Sequence, residues 1–220
     1  MNGYDNVCAA LANRIPAVIF STGYRLAPED PFPAAVDDCH AALEYIAKNA
    51  GRFNADPGRL AVRGDSAGAN LAAGMSLKSK EEGGPRIALQ VLIYPATDIS
   101  RMMSVSYLLF GNGYDLDIGL IKKFRLNYLP DKRDWLDPRA SPALAKDFEG
   151  LPPALVITAE FDPLRDDGKE FADKLKRSGV PVRYSMYKGV IHGFLSFTTF
   201  TTAQKAFDEI SSAFKSGIKS

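Results

Sequence analysis

The sequence has few cysteines and almost no net charge. Cys8 and Cys39 are its only cysteines, too few for a disulfide framework and too far apart for a zinc site. With 27 Lys and Arg against 26 Asp and Glu, the net charge is +1, so no strong field favours nucleic acid or a membrane surface. We therefore expect a small, weakly charged partner, no nucleic acid, and two buried thiols.

Long apolar runs are also missing. No stretch approaches the roughly 20 residues that a membrane-spanning helix needs, and residues 1–8 carry neither a basic segment nor a continuous apolar run. These absences predict a cytoplasmic protein without a membrane span. At 220 residues the chain can form one core, so we expect a single domain over residues 1–220.

Two kinds of segment alternate along the chain. Short β-branched or aliphatic runs bounded by Gly, Pro or Asp are separated by segments whose apolar residues recur every three or four positions. This alternation predicts a mostly parallel sheet flanked by helices. The predicted strands are residues 17–20, 60–63, 89–94, 155–158 and 182–187. Helices are predicted near residues 4–11, 33–51 and 166–178, directly after Ser66, and over 203–214.

Residues 98–153 interrupt this alternation. They contain no strand pattern, but six aromatic residues are spread through them: Tyr107, Phe110, Tyr114, Phe124, Tyr128 and Trp135. Loops at the carboxyl ends of strands form the ligand sites of open α/β sheets, so one interpretation is a cap-like helical insertion that supplies a lid and an apolar pocket. The other interpretation is a small satellite core, and the sequence leaves both open.

Ser66 lies in the segment Gly64-Asp65-Ser66-Ala67-Gly68, between an apolar strand and a helix-forming stretch. This context favours a nucleophile, because a reactive serine needs a strained turn that exposes its hydroxyl. Both flanking glycines are expected to let the strand and helix backbones approach each other. A phosphate-binding turn is the alternative, but the phosphate-loop lysine is absent. Ser66 is therefore the predicted nucleophile.

A serine hydroxyl needs a base to remove its proton, and the sequence contains two histidines, His40 and His192. His40 lies within a predicted amphipathic helix ahead of Ser66, which favours an ordinary, partly buried or surface helix residue. His192 follows the last predicted strand in a loop next to Gly193, a position that suits a general base. Two isolated histidines form no metal-ligand cluster, so we expect no metal and no cofactor.

The third member of such a site is a carboxylate that orients the histidine and lies between the serine and the histidine in the chain. Asp162 ends an apolar strand just before Pro163, which makes it the leading candidate. Glu160 competes with it from two residues earlier. Asp166 and Asp167 are instead expected at the start of the next helix.

Five short motifs follow one another along the chain. They are Tyr24-Arg25-Leu26-Ala27-Pro28-Glu29, Phe32-Pro33-Ala34-Ala35, Gly64-Asp65-Ser66-Ala67-Gly68, Asp162-Pro163-Leu164-Arg165-Asp166 and His192-Gly193-Phe194. Together they resemble the hormone-sensitive-lipase-like (GDXG) branch of the α/β-hydrolases over nearly the whole chain. The resemblance implies the α/β-hydrolase fold, with Ser66 as nucleophile, Asp162 as triad acid and His192 as base. It also implies an esterase or lipase-like hydrolase of carboxylic esters with short to medium acyl chains.

One element of that family is missing from this sequence. Such enzymes carry a His-Gly-Gly-Gly stretch before the Tyr-Arg-Leu-Ala-Pro-Glu motif, and the resemblance implies that its amides join the Ala67 amide in an oxyanion hole. Losing one such donor costs about a hundred- to a thousandfold in turnover. The first strands of the family's fold would also be absent, including the one between residues 17–20 and 60–63. We therefore expect a truncated chain with a gap in its sheet.

The sequence leaves two questions about function and one about the oligomeric state open. The alternative to an esterase is a non-catalytic or inactive hydrolase-like fragment, or a small-ligand-binding protein, because half of the oxyanion hole is missing. A peptidase or thioesterase is a further alternative, since a triad alone does not choose the leaving group. The sequence also does not distinguish a monomer from a homodimer.

Overall fold

A four-stranded parallel sheet forms the centre of the computed structural model, which describes residues 4–217. The strands are β1 (Leu60–Asp65), β2 (Ile87–Ile93), β3 (Ala154–Phe161) and β4 (Val182–Ile191), and they lie side by side in this order. All three neighbouring pairs are parallel. The predicted parallel sheet is confirmed, and four of the five predicted strands are present.

Helices cover both faces of the sheet. On one face lie α1 (Asp5–Ala12) and α7 (Thr201–Ser216), which share a hydrophobic cluster with β2 and β3. On the other face lie α3 (Ala67–Glu82) and α6 (Arg165–Arg177), and α2 (Ala34–Asn49) packs against α3. These positions leave the carboxyl ends of the strands as the edge where loops meet.

The two central strands hold most of the core. Along β2, Val91 and Ile93 contact the α1 and α7 layer, whereas Leu92 between them contacts α3 and α6. Successive strand residues point to opposite faces, so both faces of a covered parallel strand must be apolar. The near-continuous apolar runs of the sequence follow directly from this burial.

Residues 17–20 do not form the predicted strand. They lie outside the sheet, and Ala17, Val18 and Phe20 are exposed. An isolated apolar segment becomes a strand only when a neighbouring strand accepts its hydrogen bonds, and β1 is an edge strand of the described sheet that pairs with β2 alone. The strand prediction is therefore wrong here. The described sheet also contains no internal gap, because residues 17–20 do not join it and β1 forms its edge.

The segment between β2 and β3 is helical. It contains α4 (Val105–Phe110) and α5 (Ile118–Tyr128), followed by short 3₁₀ turns at Lys132–Leu136 and Pro142–Leu144. Tyr107 and Leu116 form a small hydrophobic cluster with Leu164, the residue just before α6. The Asn70 side chain on α3 donates to two carbonyl oxygens of this segment, those of Ala96 and Ala140, at 2.8 and 2.7 Å. In the part of the chain that the structure describes, no helix is long and apolar enough to cross a membrane.

Candidate active site

Ser66 lies at the tight turn between β1 and α3. Its backbone angles are φ 54° and ψ −120°, a conformation that a residue with a side chain adopts only under strain. The Ser66 amide donates to the carbonyl oxygen of Ile93 at 2.9 Å, which fixes the turn to the end of β2. The turn therefore holds the serine at the carboxyl edge of the sheet, as the motif predicts.

The two glycines that flank Ser66 differ in their packing. A Cβ atom added to Gly64 would lie 2.0 Å from the carbonyl oxygen of Gly68, far inside contact distance. A Cβ added to Gly68 would meet nothing within 4 Å. The close approach of strand and helix thus requires glycine at position 64, and the expectation that both glycines are needed for it is wrong for Gly68.

His192 follows β4 directly and reaches over the sheet edge to Ser66. Its Nε2 lies 2.8 Å from the Ser66 Oγ. The chain turns away immediately afterwards, because Gly193 has a φ of 78°, which favours glycine. Only 9% of His192 is exposed, so its ring is held in a defined orientation.

Asp162 completes the arrangement from the end of β3. Its Oδ2 lies 2.8 Å from the Nδ1 of His192, and its Oδ1 accepts a hydrogen bond from the Leu164 amide at 2.8 Å. A carboxylate can only accept, so Nδ1 carries the proton and Nε2 of the neutral ring accepts from the Ser66 hydroxyl. The structure thus brings the three predicted residues, Ser66, His192 and Asp162, into one hydrogen-bonded chain.

The competing residues have other partners. The Glu160 carboxylate accepts the Gly189 amide at 2.7 Å, and Asp166 and Asp167 lie in the first turn of α6 as expected. His40 is a largely buried residue of α2 whose Nε2 lies 3.5 Å from a carboxylate oxygen of Glu82. None of these four side chains joins the hydrogen-bonded chain of Ser66, His192 and Asp162.

The amide of Ala67 is available next to Ser66. Ala67 is the first residue of α3 and is exposed, so its N–H has no acceptor within the helix. The amino end of a helix carries partial positive charge. A developing negative charge on a group bound to Ser66 would therefore be stabilised from this side.

Tyr94 is a neighbour of His192 that the sequence did not indicate. It follows β2 with an unusual φ of 37°, is fully buried, and its ring centroid lies 4.6 Å from that of His192. Burial raises the pKa of its hydroxyl far above the usual value, so the phenol stays neutral. Tyr94 thus supports the imidazole without adding charge. Its strand pattern predicted burial but not this contact.

The remaining candidates for metal or redox chemistry are isolated. Cys8 and Cys39 are free and only partly buried, not fully buried as expected. Burial raises the pKa of the Cys39 thiol to about 11, which keeps it protonated. Across residues 4–217, no three His, Cys, Asp or Glu side chains are grouped as metal ligands.

Residues 1–196 match the profile of a family described as alpha/beta hydrolase fold. This chain belongs to the α/β-hydrolase fold family. LipN of Mycobacterium tuberculosis, a carboxylic ester hydrolase, is 43% identical over 202 residues, which make up 89% of this chain and 54% of LipN. The match confirms the resemblance to the hormone-sensitive-lipase-like branch.

Solved structures of α/β-hydrolases show the same fold. An esterase of the archaeon Pyrobaculum calidifontis superposes with a TM-score of 0.94 at 42% identity, over 97% of this chain and 69% of that one. The ester hydrolase EH1AB1 from the Lake Arreo metagenome, solved with a bipyridine phosphonate derivative, gives a TM-score of 0.92 at 46% identity. That match covers 96% of this chain and 67% of EH1AB1.

This α/β-hydrolase spans about half the length of LipN and about two thirds of the two solved chains. All three relatives are named as esterases or ester hydrolases. The alternative of a non-catalytic ligand-binding protein has no support from these matches.

Proposed function

We propose that this chain carries the nucleophile, base and acid of a carboxylic ester hydrolase. The observation that carries the proposal is the unbroken hydrogen-bond chain from Ser66 through His192 to Asp162, with both links at 2.8 Å. Proton removal from a serine requires an imidazole that accepts from the serine hydroxyl at one nitrogen and donates to a carboxylate at the other, at distances such as these. The ester-hydrolase names of the relatives support the same reaction class.

In this mechanism the Ser66 Oγ attacks the carbonyl carbon of an ester while its proton moves to the Nε2 of His192. Asp162 stabilises the imidazolium that results and keeps Nδ1 protonated. The tetrahedral intermediate then expels the alcohol, which receives the proton from His192. Water, activated by the same histidine, releases the acid and restores Ser66. No metal or cofactor takes part in these steps.

The Ala67 amide is proposed as one donor to the oxyanion of the tetrahedral intermediate. It belongs to the residue that follows the nucleophile, the position that supplies this donor in Gly-x-Ser-x-Gly turns. An oxyanion held by one amide is less stabilised than one held by several, and each donor contributes about a hundred- to a thousandfold. We therefore expect acylation of Ser66 to be detectable even where turnover is slow.

The helical segment of residues 98–153 is proposed as a cap-like insertion within the single domain, facing a small ester substrate. Phe110 and Tyr114 contact the ring of Phe161, the residue before Asp162, at centroid distances of 5.6 and 5.5 Å. These half-buried rings offer apolar surface beside the carboxyl edge of the sheet, where substrates of α/β enzymes bind.

The test combines a substrate and a covalent probe. Purified chain should hydrolyse a short p-nitrophenyl ester and should be labelled stoichiometrically by a fluorophosphonate, which reacts with activated serines. Ser66→Ala should abolish labelling and lower turnover by at least about a thousandfold. Equal hydrolysis by the two proteins would refute the assignment of Ser66. A panel of amide and thioester substrates decides whether the leaving group is restricted to alcohols.

A further inference from the structure

The insertion helix α4 is tied directly to the turn that carries Asp162. Ser106 in this helix is fully buried, and its hydroxyl donates to the Pro163 carbonyl oxygen at 2.7 Å. The same hydroxyl accepts the Asp166 amide at 3.2 Å, and the Ser106 amide donates to the Asp166 carboxylate at 2.8 Å. One serine thus contacts the turn just after Asp162 and again where α6 begins.

The rest of the turn is held by Asp162 itself. Its Oδ1 accepts the Leu164 amide at 2.8 Å, and its carbonyl oxygen accepts the Arg165 amide at 3.1 Å. Because Oδ1 is occupied in this way, the orientation of the turn decides where Oδ2 points. Any rotation of residues 163–166 would therefore change the bond between Oδ2 and His192.

A second contact joins the same two elements. The Arg165 guanidinium donates to the Asp166 carboxylate at 3.0 Å and lies over the ring of Phe110, 5.0 Å from its centroid. Helix α4 is therefore attached to the turn near its start by Ser106 and at its end by Phe110. The contacts at Ser106 are polar and buried, and a buried polar group that loses its hydrogen-bond partner lowers stability.

We propose that Ser106 is a positioning residue: it fixes the Asp162 turn so that the carboxylate keeps its hydrogen bond to His192. The consequence for turnover rests on the proposed esterase function, but the effect on the Asp162–His192 bond does not. Ser106 touches neither the substrate nor the reacting atoms in this scheme. It couples the helical insertion to the triad acid.

The first variant is Ser106→Ala, which removes the hydroxyl and leaves the Pro163 carbonyl and the Asp166 amide without their partner. Since small misplacements of catalytic groups reduce turnover strongly, we expect kcat to fall about tenfold. KM should change less than about twofold, because the ester itself loses no contact. This split distinguishes positioning from a loss of substrate binding.

Ser141→Ala is the matched control. Ser141 is also fully buried in the helical insertion, and its hydroxyl likewise donates to a carbonyl oxygen, that of Trp135 at 2.7 Å, and accepts an amide, that of Ile99 at 3.0 Å. The Ser106 hydroxyl has one further neighbour, the Ser104 hydroxyl at 2.9 Å. Neither bond reaches the Asp162 turn. We expect both variants to lose similar thermal stability, and only Ser106→Ala to lose kcat.

A proton NMR measurement reads the bond itself. The Nδ1 proton of His192, bonded to a carboxylate, should give a downfield resonance that is absent from Asp162→Ala. We expect it in the wild type and in Ser141→Ala, and expect it broadened or absent in Ser106→Ala. If Ser106→Ala does not fold, Asp166→Asn replaces it, because the amide keeps one acceptor oxygen where the carboxylate had two.

The outcomes separate the two proposals. A wild-type resonance without any ester hydrolysis refutes the proposed function, while the variants still decide the role of Ser106. An unchanged resonance and kcat in Ser106→Ala, or equal losses in Ser141→Ala, overturns the positioning role. So does a wild-type chain without the resonance, because there is then no bond for Ser106 to fix.

Discussion

The two sides of Ser66 differ in how completely their groups are paired and buried. On the β3 side, the strand is almost entirely inaccessible and Asp162 makes hydrogen bonds through both carboxylate oxygens. On the outer side, most of β1 is only half-buried, and Arg63 has two buried nitrogens without hydrogen-bond partners in the described chain. Ala17, Val18 and Phe20, which were predicted to belong to a further strand, are exposed.

This difference separates two parts of the proposed reaction. Proton transfer depends on Ser66, His192 and Asp162, which the well-packed side holds at hydrogen-bonding distance. Oxyanion stabilisation depends on donors around the Ser66 turn, of which the Ala67 amide is the proposed one. The comparison therefore predicts that serine activation and transition-state stabilisation can be tested separately in this chain.

Gly64 tests whether β1 is loosely packed along its whole length. Gly64→Ala places a Cβ 2.0 Å from the Gly68 carbonyl oxygen, a backbone atom that cannot move without displacing α3. We expect the free energy of unfolding, measured by urea denaturation, to fall by about 3–5 kcal/mol. That loss would show that the carboxyl end of β1, where Gly64 lies, is packed as tightly as the central strands. The first four residues of β1 are only half-buried.

Gly68→Ala is the control, because its added Cβ meets nothing within 4 Å. Alanine is favoured over glycine in a helix by up to about 1 kcal/mol, so stability should stay the same or rise slightly. Equal destabilisation by the two substitutions would contradict the asymmetry between the two glycines.

Two valines compare the sides directly with the same chemical change. Val156 on β3 is fully buried, whereas 48% of Val18 is exposed. Val156→Ala removes two methyl groups from the core and should lower the free energy of unfolding by about 2–3 kcal/mol. Val18→Ala should change it by less than about 0.5 kcal/mol. Equal losses in thermal or chemical denaturation would mean that residues 17–20 are packed far better than their exposure indicates.

The sequence predicted the parts of this fold that depend on local pattern. The apolar runs of β2 and β3 reflect burial on both faces. Motif context and chain order predicted Ser66, Asp162 and His192 as one site, and these three side chains are hydrogen-bonded to one another in the structure. Residues 17–20 show the limit of this reasoning. Their apolar pattern suits a strand, but a strand also needs a hydrogen-bonded neighbour, and that is a property of the tertiary structure.

The contacts that support the site were not predictable in the same way. Ser106 lies in a segment without a periodic pattern, and its partners are 57 and 60 residues away in the chain. Tyr94 was recognised as buried, but the direction of its ring toward His192 depends on a backbone turn with positive φ. No spacing rule for one element encodes such contacts between elements.

Each side of Ser66 also contains a buried ionisable group that lacks part of its hydrogen bonding. On the β1 side it is Arg63, whose Nη1 donates to Asp65 at 2.9 Å while Nε and Nη2 have no partner in the described residues. On the other side it is Asp167, whose Oδ2 has no partner in the described residues. Burial first, then the charges of Asp98 and Glu170, raise the pKa of Asp167 well above its usual range, while Arg101 opposes them.

The sign of the pH dependence follows from this shift. Above about pH 4 the unfolded chain releases the Asp167 proton while the folded chain keeps it, so the unfolded state binds fewer protons. This group therefore costs stability increasingly as the pH rises from about 4 toward its folded pKa. Asp167→Asn cannot ionise, so its stability relative to wild type should increase over that range, as measured by urea denaturation at a series of pH values.

Asp173→Asn on the same helix provides the control for Asp167. Asp173 is partly exposed and pairs with Lys169 one turn earlier, at 2.6 Å, and such surface pairs contribute at most about 0.5 kcal/mol. Its substitution should lower stability slightly and leave no rising difference with pH. Parallel stability curves for wild type and Asp167→Asn between pH 4 and 8 would mean that Asp167 is ionised in the folded chain. The two sides of Ser66 would then each hold a buried charge, and only the packing differences would separate them.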